Sequence, residues 1–365
     1  MADDQSGLSH PPRLQDENMT TGVGVVGMPG VSATAGASLK MMEPDEGDNL
    51  VEGRKAVEGL SLTQLAIRRL RQDKLTMVSM TIVALFVVLG VAAPFLSAFG
   101  ILDPQSFNRE LIDAATGGLP NAKGGISADH WLGVEPGTGR DVLSRLILGI
   151  TFSLAVALSA SLIAVTIGIV LGIISGYVGG WVDMVISRIV DMTLSFPQTL
   201  MLLALSGTLV DRLVKIGVPS GNPANGVYII LVLGLFGWPS FARLIRGQVL
   251  SQREREYIEA ARSLGAKNKR IYFKELLPNL WAPILVYFTL LLPQFISAEA
   301  ALSFLGVGIK PPTPTLGNLL TNSTNYAISD FTYFIAPAVM IATLVVSFNL
   351  VGDGLRDALD PKANR

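Results

Sequence analysis

No cysteine occurs anywhere in the 365 residues, which excludes a disulfide framework, a thiol nucleophile and a thiolate metal site. Histidine is nearly as scarce. His10 and His130 are the two, far apart and in unlike surroundings, so neither imidazole catalysis nor a histidine metal centre has support, and no catalytic or metal-ligating set is expected. Charge is thin as well: charged side chains make up 16% and hydrophobic ones 50% of the chain, with a mean hydropathy of +0.48. Soluble domains carry about 25% charged residues, so the composition points to a membrane protein. A G-x-x-x-x-G-K-[ST] phosphate loop is also missing, and the chain does not cradle ATP in that way. The string GVGVVG at 22–27 fits G-x-G-x-x-G, but no strand precedes it and Pro29 follows at once, so the context for dinucleotide binding is wanting.

What is present divides in two. Residues 1–60 hold ten acidic and four basic side chains, net -6, which leaves +5 on the remainder. This segment mixes Gly, Ser, Thr and Pro with its acids and has no apolar run long enough to offset the entropy of ordering, so a disordered acidic tail is expected. It has no basic stretch followed by an apolar one and is not read as a secretory signal. Met19, Met28, Met41 and Met42 are alternative starting points that leave the body intact.

The body is expected to be an all-α polytopic membrane bundle. A bilayer core of about 30 Å needs about 20 apolar residues rising 1.5 Å each, and six runs qualify: 75–98, 151–174, 184–206, 227–249, 282–304 and 331–350. Residues 61–98 form an amphipathic lead and the first span, 99–150 an exterior loop, 151–355 a five-span core, and 356–365 a C-terminal end. Basic residues set the orientation. Arg68, Arg69, Arg71 and Lys74 precede the first span, and Arg253, Arg255, Arg262, Lys267, Lys269, Arg270 and Lys274 crowd the loop after the fourth. Both flanks are therefore expected in the cytoplasm, with both termini, while 99–150, 207–226 and 305–330 face the exterior.

The loop 254–278 is too polar to span, yet Tyr257, Ala260, Ala261 and Leu264 recur at helical spacing. Gly265 supplies a stop where φ turns positive, and a second short helix over 270–277 precedes Pro278. The expected shape is a helix, glycine, helix knob on the cytoplasmic face, or, more plainly, a solvated basic connector.

Glu259-Ala260-Ala261, three residues, Gly265, then Leu276-Leu277-Pro278 resembles the EAA loop of binding-protein-dependent ABC importer permeases. Residues 62–360 as a whole resemble the C-type permease of the dipeptide, oligopeptide and nickel branch of that family. The matching stretches include GRDVLSR at 139–145, GYVGGWVD at 176–183, RIVDMTLSFP at 188–197, AEAALSFLGVG at 298–308, PPTPTLGN at 311–318 and FNLVGDGLRDALDP at 348–361. The resemblance implies a type I ABC importer permease fold in a bacterial inner membrane. Glu259, Ala260, Ala261, Gly265, Leu277 and Pro278 would then dock on an ATPase. It further implies a homologous B-type permease partner, two ABC ATPase subunits holding ATP and Mg, and an extracytoplasmic substrate-binding protein. Cofactors in this chain and nucleic-acid partners are not expected, and membrane lipid surrounds it. The cargo expected is a dipeptide or oligopeptide, with nickel or glutathione as alternatives within the branch.

Remaining features have weaker assignments. Gly168, Gly172 and Gly176, continued by Gly180, lie at four-residue spacing and suit close helix packing. Intramembrane ionisable groups are functional candidates by default. Glu299, with Gln294, Ser297 and Ser303, forms a candidate polar strip on a translocation path, or else an interhelical hydrogen bond. Arg188 and Asp191 stand at a spacing where side chains meet on one helix face. Arg140, Asp141 and Arg145 are expected to anchor the exterior end of the second span. A secondary transporter driven by an ion gradient is the competing class, but no inverted repeat of the kind such proteins use is seen.

Overall fold

The computed structural model describes residues 62–359; the acidic segment and the last six residues lie outside the described part. The described chain opens with α1 (Leu62–Gln72), whose last turn carries Arg69 and Arg71. Asp73 then caps α2 (Lys74–Ala98), accepting from the Leu75 amide at 3.0 Å and from the Thr76 hydroxyl. Side chains at helix N-termini satisfy amides that have no partner in the first turn. Much of α2 is apolar and outward-facing, with Leu75, Val78, Leu85, Val88, Val91 and Phe95 all exposed, as expected of a helix bathed in lipid.

Residues 99–141 form an irregular cap with two short antiparallel strands, β1 (Ile112–Asp113) and β2 (Leu119–Pro120). The next helix starts earlier than hydropathy indicates. α3 runs Val142–Val178, so the expected exterior loop 99–150 ends about two and a half turns sooner. Arg145 reads as a loop residue on a hydropathy scan, but it lies fully buried, and Asp141 caps the helix by accepting from the Ser144 amide at 2.7 Å.

The third apolar run is not one straight span. It forms α4 (Gly180–Ser195) and α5 (Gln198–Lys215), bent by 86°. Pro197 drives Phe196 out of helical geometry, to φ -88 and ψ 134. Next come α6 (Asn222–Gln252) and α7 (Glu256–Ser263). A single turn, α8 (Asn268–Arg270), passes through a π turn and a 3-10 turn into α9 (Trp281–Phe304). α10 (Leu316–Thr324) and α11 (Phe331–Leu359) complete the chain. The expected loop 305–330 thus contains a helix, and 207–226 is mostly helical. Among the described residues five helices are long and apolar enough to cross a bilayer, six if the bent pair is one span.

α3 and α6 form the centre. They run parallel, as shown by Gly234 against Ile163 and Gly176 against Val249 at opposite ends of the contact. The glycine stripe makes this possible. A Cβ at Gly168 would stand 2.7 Å from Phe241, one at Gly172 2.8 Å from the Ala242 carbonyl, and one at Gly176 2.9 Å from the Arg246 carbonyl. Small residues let backbones approach where hydrophobicity gives no drive between helices in lipid. Gly180 falls beyond the end of α3 and opens α4 instead. α9 packs antiparallel to α3 and α11, with Gly352 against Leu290.

Candidate functional site: an exposed knob and the bundle beneath it

α7 and the turns from α8 to Leu280 project from the end of the bundle where α3 and α6 finish. The knob is fastened from below by Ile258, Ile271 and Leu276, all buried. Its side is clamped to the last turn of α3. Arg262 donates from Nε to the Tyr177 hydroxyl at 3.1 Å with its guanidinium 4.8 Å from the ring centroid, and Tyr272 meets the same ring edge-on at 5.1 Å. Arg253 donates to the Gly176 carbonyl at 3.2 Å. Cation–π and edge-to-face contacts each add stabilisation of order 1 kcal/mol, so the knob is held against the end of α3.

Its outer surface is unlike the buried base. Glu259, Ala260, Gly265 and Pro278 are exposed, Ala261 and Leu277 half-buried, and Leu264 is 89% exposed. The stripe of Tyr257, Ala260, Ala261 and Leu264 therefore faces largely outward, and Ile258 holds the helix down. Gly265 has φ +78 and ends α7 in the left-handed region, with no heavy atom near the place of a Cβ. The second expected helix is present as the α8 turn and a π turn that continue into α9.

Two ion pairs lie where α4 crosses α3 and α6. Asp183 takes both Arg246 Nε at 2.5 Å and Nη2 at 2.6 Å, plus the Ser175 and Ser187 hydroxyls. Asp191 pairs with Arg243 of α6, which corrects the expected partnership with Arg188, an exposed residue of its own helix. Spacing along one helix permitted Arg188, but Arg243 crosses from the neighbouring helix. A cavity of about 350 Å³ lies between these pairs and Gly172, Val190 and Ala242.

The structure divides the polar strip on α9. Glu299 is fully buried and accepts from Ser153 of α3 at 2.9 Å and from Ser303 at 2.9 Å, while Ser153 also accepts from the Leu316 amide at the start of α10. Gln294 and Ser297 are exposed on another face, so the four residues do not share one surface. Glu299 thereby joins α3, α9 and α10.

Arg140, Asp141 and Arg145 do gather at the other end of α3, within a larger set. Asp141 also meets His130 Nδ1 at 2.9 Å. Arg145 donates to the carbonyls of Pro104 and Pro312 at 3.2 and 3.3 Å and lies 3.6 Å from Glu135. Glu135 accepts from the Tyr333 hydroxyl at 3.0 Å and the Thr138 hydroxyl at 2.7 Å, and Arg140 sits 4.7 Å from the Phe107 ring centroid. Sequence reasoning missed Glu135, Asp183, Arg246 and Ser153. For Asp183 and Arg246 the signal was available, since each is a charge inside or bordering an apolar run. Among the described residues no group of three or more His, Asp or Glu side chains is placed to hold a metal ion.

A bundle of apolar spans, joined by interhelical polar locks and carrying a polar knob at one end, defines a multi-pass membrane protein. Residues 168–365 match the family of binding-protein-dependent transport system inner membrane components, and residues 61–111 match the N-terminal transmembrane domain of oligopeptide transport permease C. The chain belongs to that family of transport permease subunits. The dipeptide transport system permease protein DppC of Alkalihalophilus pseudofirmus is 37% identical across 81% of this chain and 89% of its own. The oligopeptide transport system permease protein OppC of Bacillus subtilis is 34% identical across 84% and 92%, and the glutathione transport system permease protein GsiD of Shigella flexneri 36% identical across 81% and 89%. Among solved structures, the inward-facing MetNI methionine ABC transporter aligns with a TM-score of 0.48 at 22% identity over 60% of this chain and 97% of that one.

Proposed function

We propose that this chain is the C-type permease subunit of an ATP-driven, binding-protein-dependent importer of dipeptides or oligopeptides. It does no chemistry of its own. Paired with a homologous B-type permease, it supplies two conformational states, and the ATPase and the loaded binding protein act through their differential affinity for those states. The knob and both termini face the cytoplasm, in keeping with the basic residues flanking the first and fourth spans. Two ABC ATPase subunits, which hold ATP and Mg, receive Glu259, Ala260, Gly265 and Pro278, and the substrate-binding protein approaches the cap over 99–141.

The observation that carries this reading is the knob itself. It exposes Tyr257, Ala260 and Leu264 among charged side chains, while Ile258 and Ile271 lie buried beneath it and Tyr272 and Arg262 tie it to Tyr177 of α3. A push on the knob therefore reaches α3 at the centre of the bundle. The test is uptake of a labelled dipeptide into proteoliposomes holding this chain with its permease, ATPase and binding-protein partners. Uptake is expected to need ATP and the binding protein, to survive collapse of ion gradients, and to be competed by other short peptides. ATP-independent uptake driven by a gradient would overturn the reading, and competition by glutathione or nickel alone would reassign the cargo.

A further inference from the structure

At the end of the bundle away from the knob, the cap and the start of α11 line an open cleft of about 460 Å³. Asp330 is one of its lining residues. It is 7% exposed, and one carboxylate oxygen, Oδ1, caps α11 by accepting from the Tyr333 amide at 3.1 Å. The other, Oδ2, is buried without a hydrogen-bond partner among the described residues. A buried carboxylate oxygen left unpaired is costly, and such groups are normally satisfied by a counter-charge. The remaining polar groups lining the cavity are Asp113, Thr116, Asn121, Ser329 and Thr332, all oxygen-bearing, with no Lys or Arg among the described lining residues. Gly124 presses its backbone against the same carboxylate, since a Cβ there would lie 3.2 Å from Asp330 Oδ1.

We infer that this cavity is a divalent-cation site, taking Ca2+ on the free oxygen of Asp330 with Asp113 and neutral oxygens completing the shell. Calcium accepts six to eight oxygen ligands from carboxylates, amide and backbone carbonyls and water in flexible geometry. The cavity is many times the roughly 30 Å³ share of one water, so the ion keeps part of its hydration. Two carboxylates and a partly hydrated ion place the affinity in the range of about 10⁻⁴ to 10⁻³ M found for extracellular modules. That range suits the compartment the cap faces under the proposed orientation, although binding at the site does not depend on transport. The ion ties the β1–β2 segment to the first turn of α11.

The experiment uses the full chain in nanodiscs of neutral phosphatidylcholine, with terbium as the luminescent calcium substitute. The Tyr333 ring, whose backbone amide donates to Asp330, and the Tyr326 ring 6.0 Å from it supply the sensitising aromatics. Saturable terbium emission displaced by Ca2+ is expected, together with a Ca2+-dependent rise in melting temperature. Asp330→Asn keeps a capping oxygen and should weaken displacement at least tenfold, and Asp113→Asn should weaken it less. Lys123 is adjacent in sequence to Gly124, so Lys123→Ala is the third arm, and its affinity should equal or exceed that of the unsubstituted chain. Emission unchanged in Asp330→Asn, no saturable emission, or binding that emerges only in Lys123→Ala would each overturn the assignment. The last result would show that the chain's own ammonium occupies the site. Failure of peptide uptake bears on the proposed function and leaves these readouts unaffected.

Discussion

Gly265→Ala isolates the conformational role of one residue in the knob. The position has φ +78, and no heavy atom lies within 4 Å of where a Cβ would be, so the substitution adds no clash. What it adds is the left-handed backbone penalty of an L-residue, about 1–2 kcal/mol. The bundle does not bear it, because Ile258 and Ile271 on either side of the turn remain buried and the α3–α6 contact is untouched. The penalty falls on the population of knobs in the docking geometry, which should drop by a factor of about 5 to 30. In proteoliposomes with the partner subunits, peptide imported per ATP hydrolysed should fall correspondingly, with the melting temperature of the isolated permease essentially unchanged. Gly265→Asn, a residue that tolerates the left-handed region, should recover most of the loss. Two results would refute the reasoning: Ala as good as Gly, or Asn as poor as Ala.

Further substitutions probe the bundle. Gly172→Ala places a Cβ 2.8 Å from both the Ala242 carbonyl and Ile245 and should destabilise by about 1–3 kcal/mol in a thermal melt, whereas Gly247→Ala, with open space around it, should be neutral or stabilising. Asp183→Asn should cost more than Asp191→Asn. Asp183 holds Arg246 through two nitrogens with 20% of its side chain exposed, while Asp191 and Arg243 are about half exposed and such pairs contribute about 0–1 kcal/mol. Equal melting-temperature losses would contradict that ranking. Glu299→Ala removes the acceptor of two buried hydroxyls and leaves a void where α3, α9 and α10 meet, so a loss of about 2–5 kcal/mol is expected by calorimetry. Glu299→Gln, which retains an acceptor, should lose less than half as much.

Hydropathy located α2 to within a residue, because an apolar side chain facing lipid needs no particular neighbour, but it stopped nine residues short of the end of α11, where Asp353, Arg356 and Asp357 continue the helix. It failed at charged or proline-bearing boundaries. Arg145 made the second run start late because a scan sees its charge and not the Glu135, Pro104 and Pro312 groups that receive it. The 184–206 run looked straight because its composition is continuous across Pro197, and the 86° bend is a backbone property. In the knob, spacing and a glycine stop were sufficient for the helix and its end, but not for the outward facing of its stripe. The identity of the buried residue beneath it was not readable, since Ile258 differs from its neighbours only in what α7 is packed against.

Composition, run length and basic flanks by themselves determine an α-helical membrane protein without thiol or phosphate-loop chemistry, and motif spacing marks the 254–278 loop as its distinctive part. These are local properties, set by side-chain transfer from water and by helical periodicity. Only the tertiary structure decided which polar groups meet. Asp183 and Arg246 lie 63 residues apart and Ser153 and Glu299 lie 146 apart, and the orphan oxygen of Asp330 is apparent only once the cap closes over it. Pairing at such separations depends on the register of one helix against another, and the glycine stripe of α3 sets that register for α3 and α6 through contacts that no single helix contains.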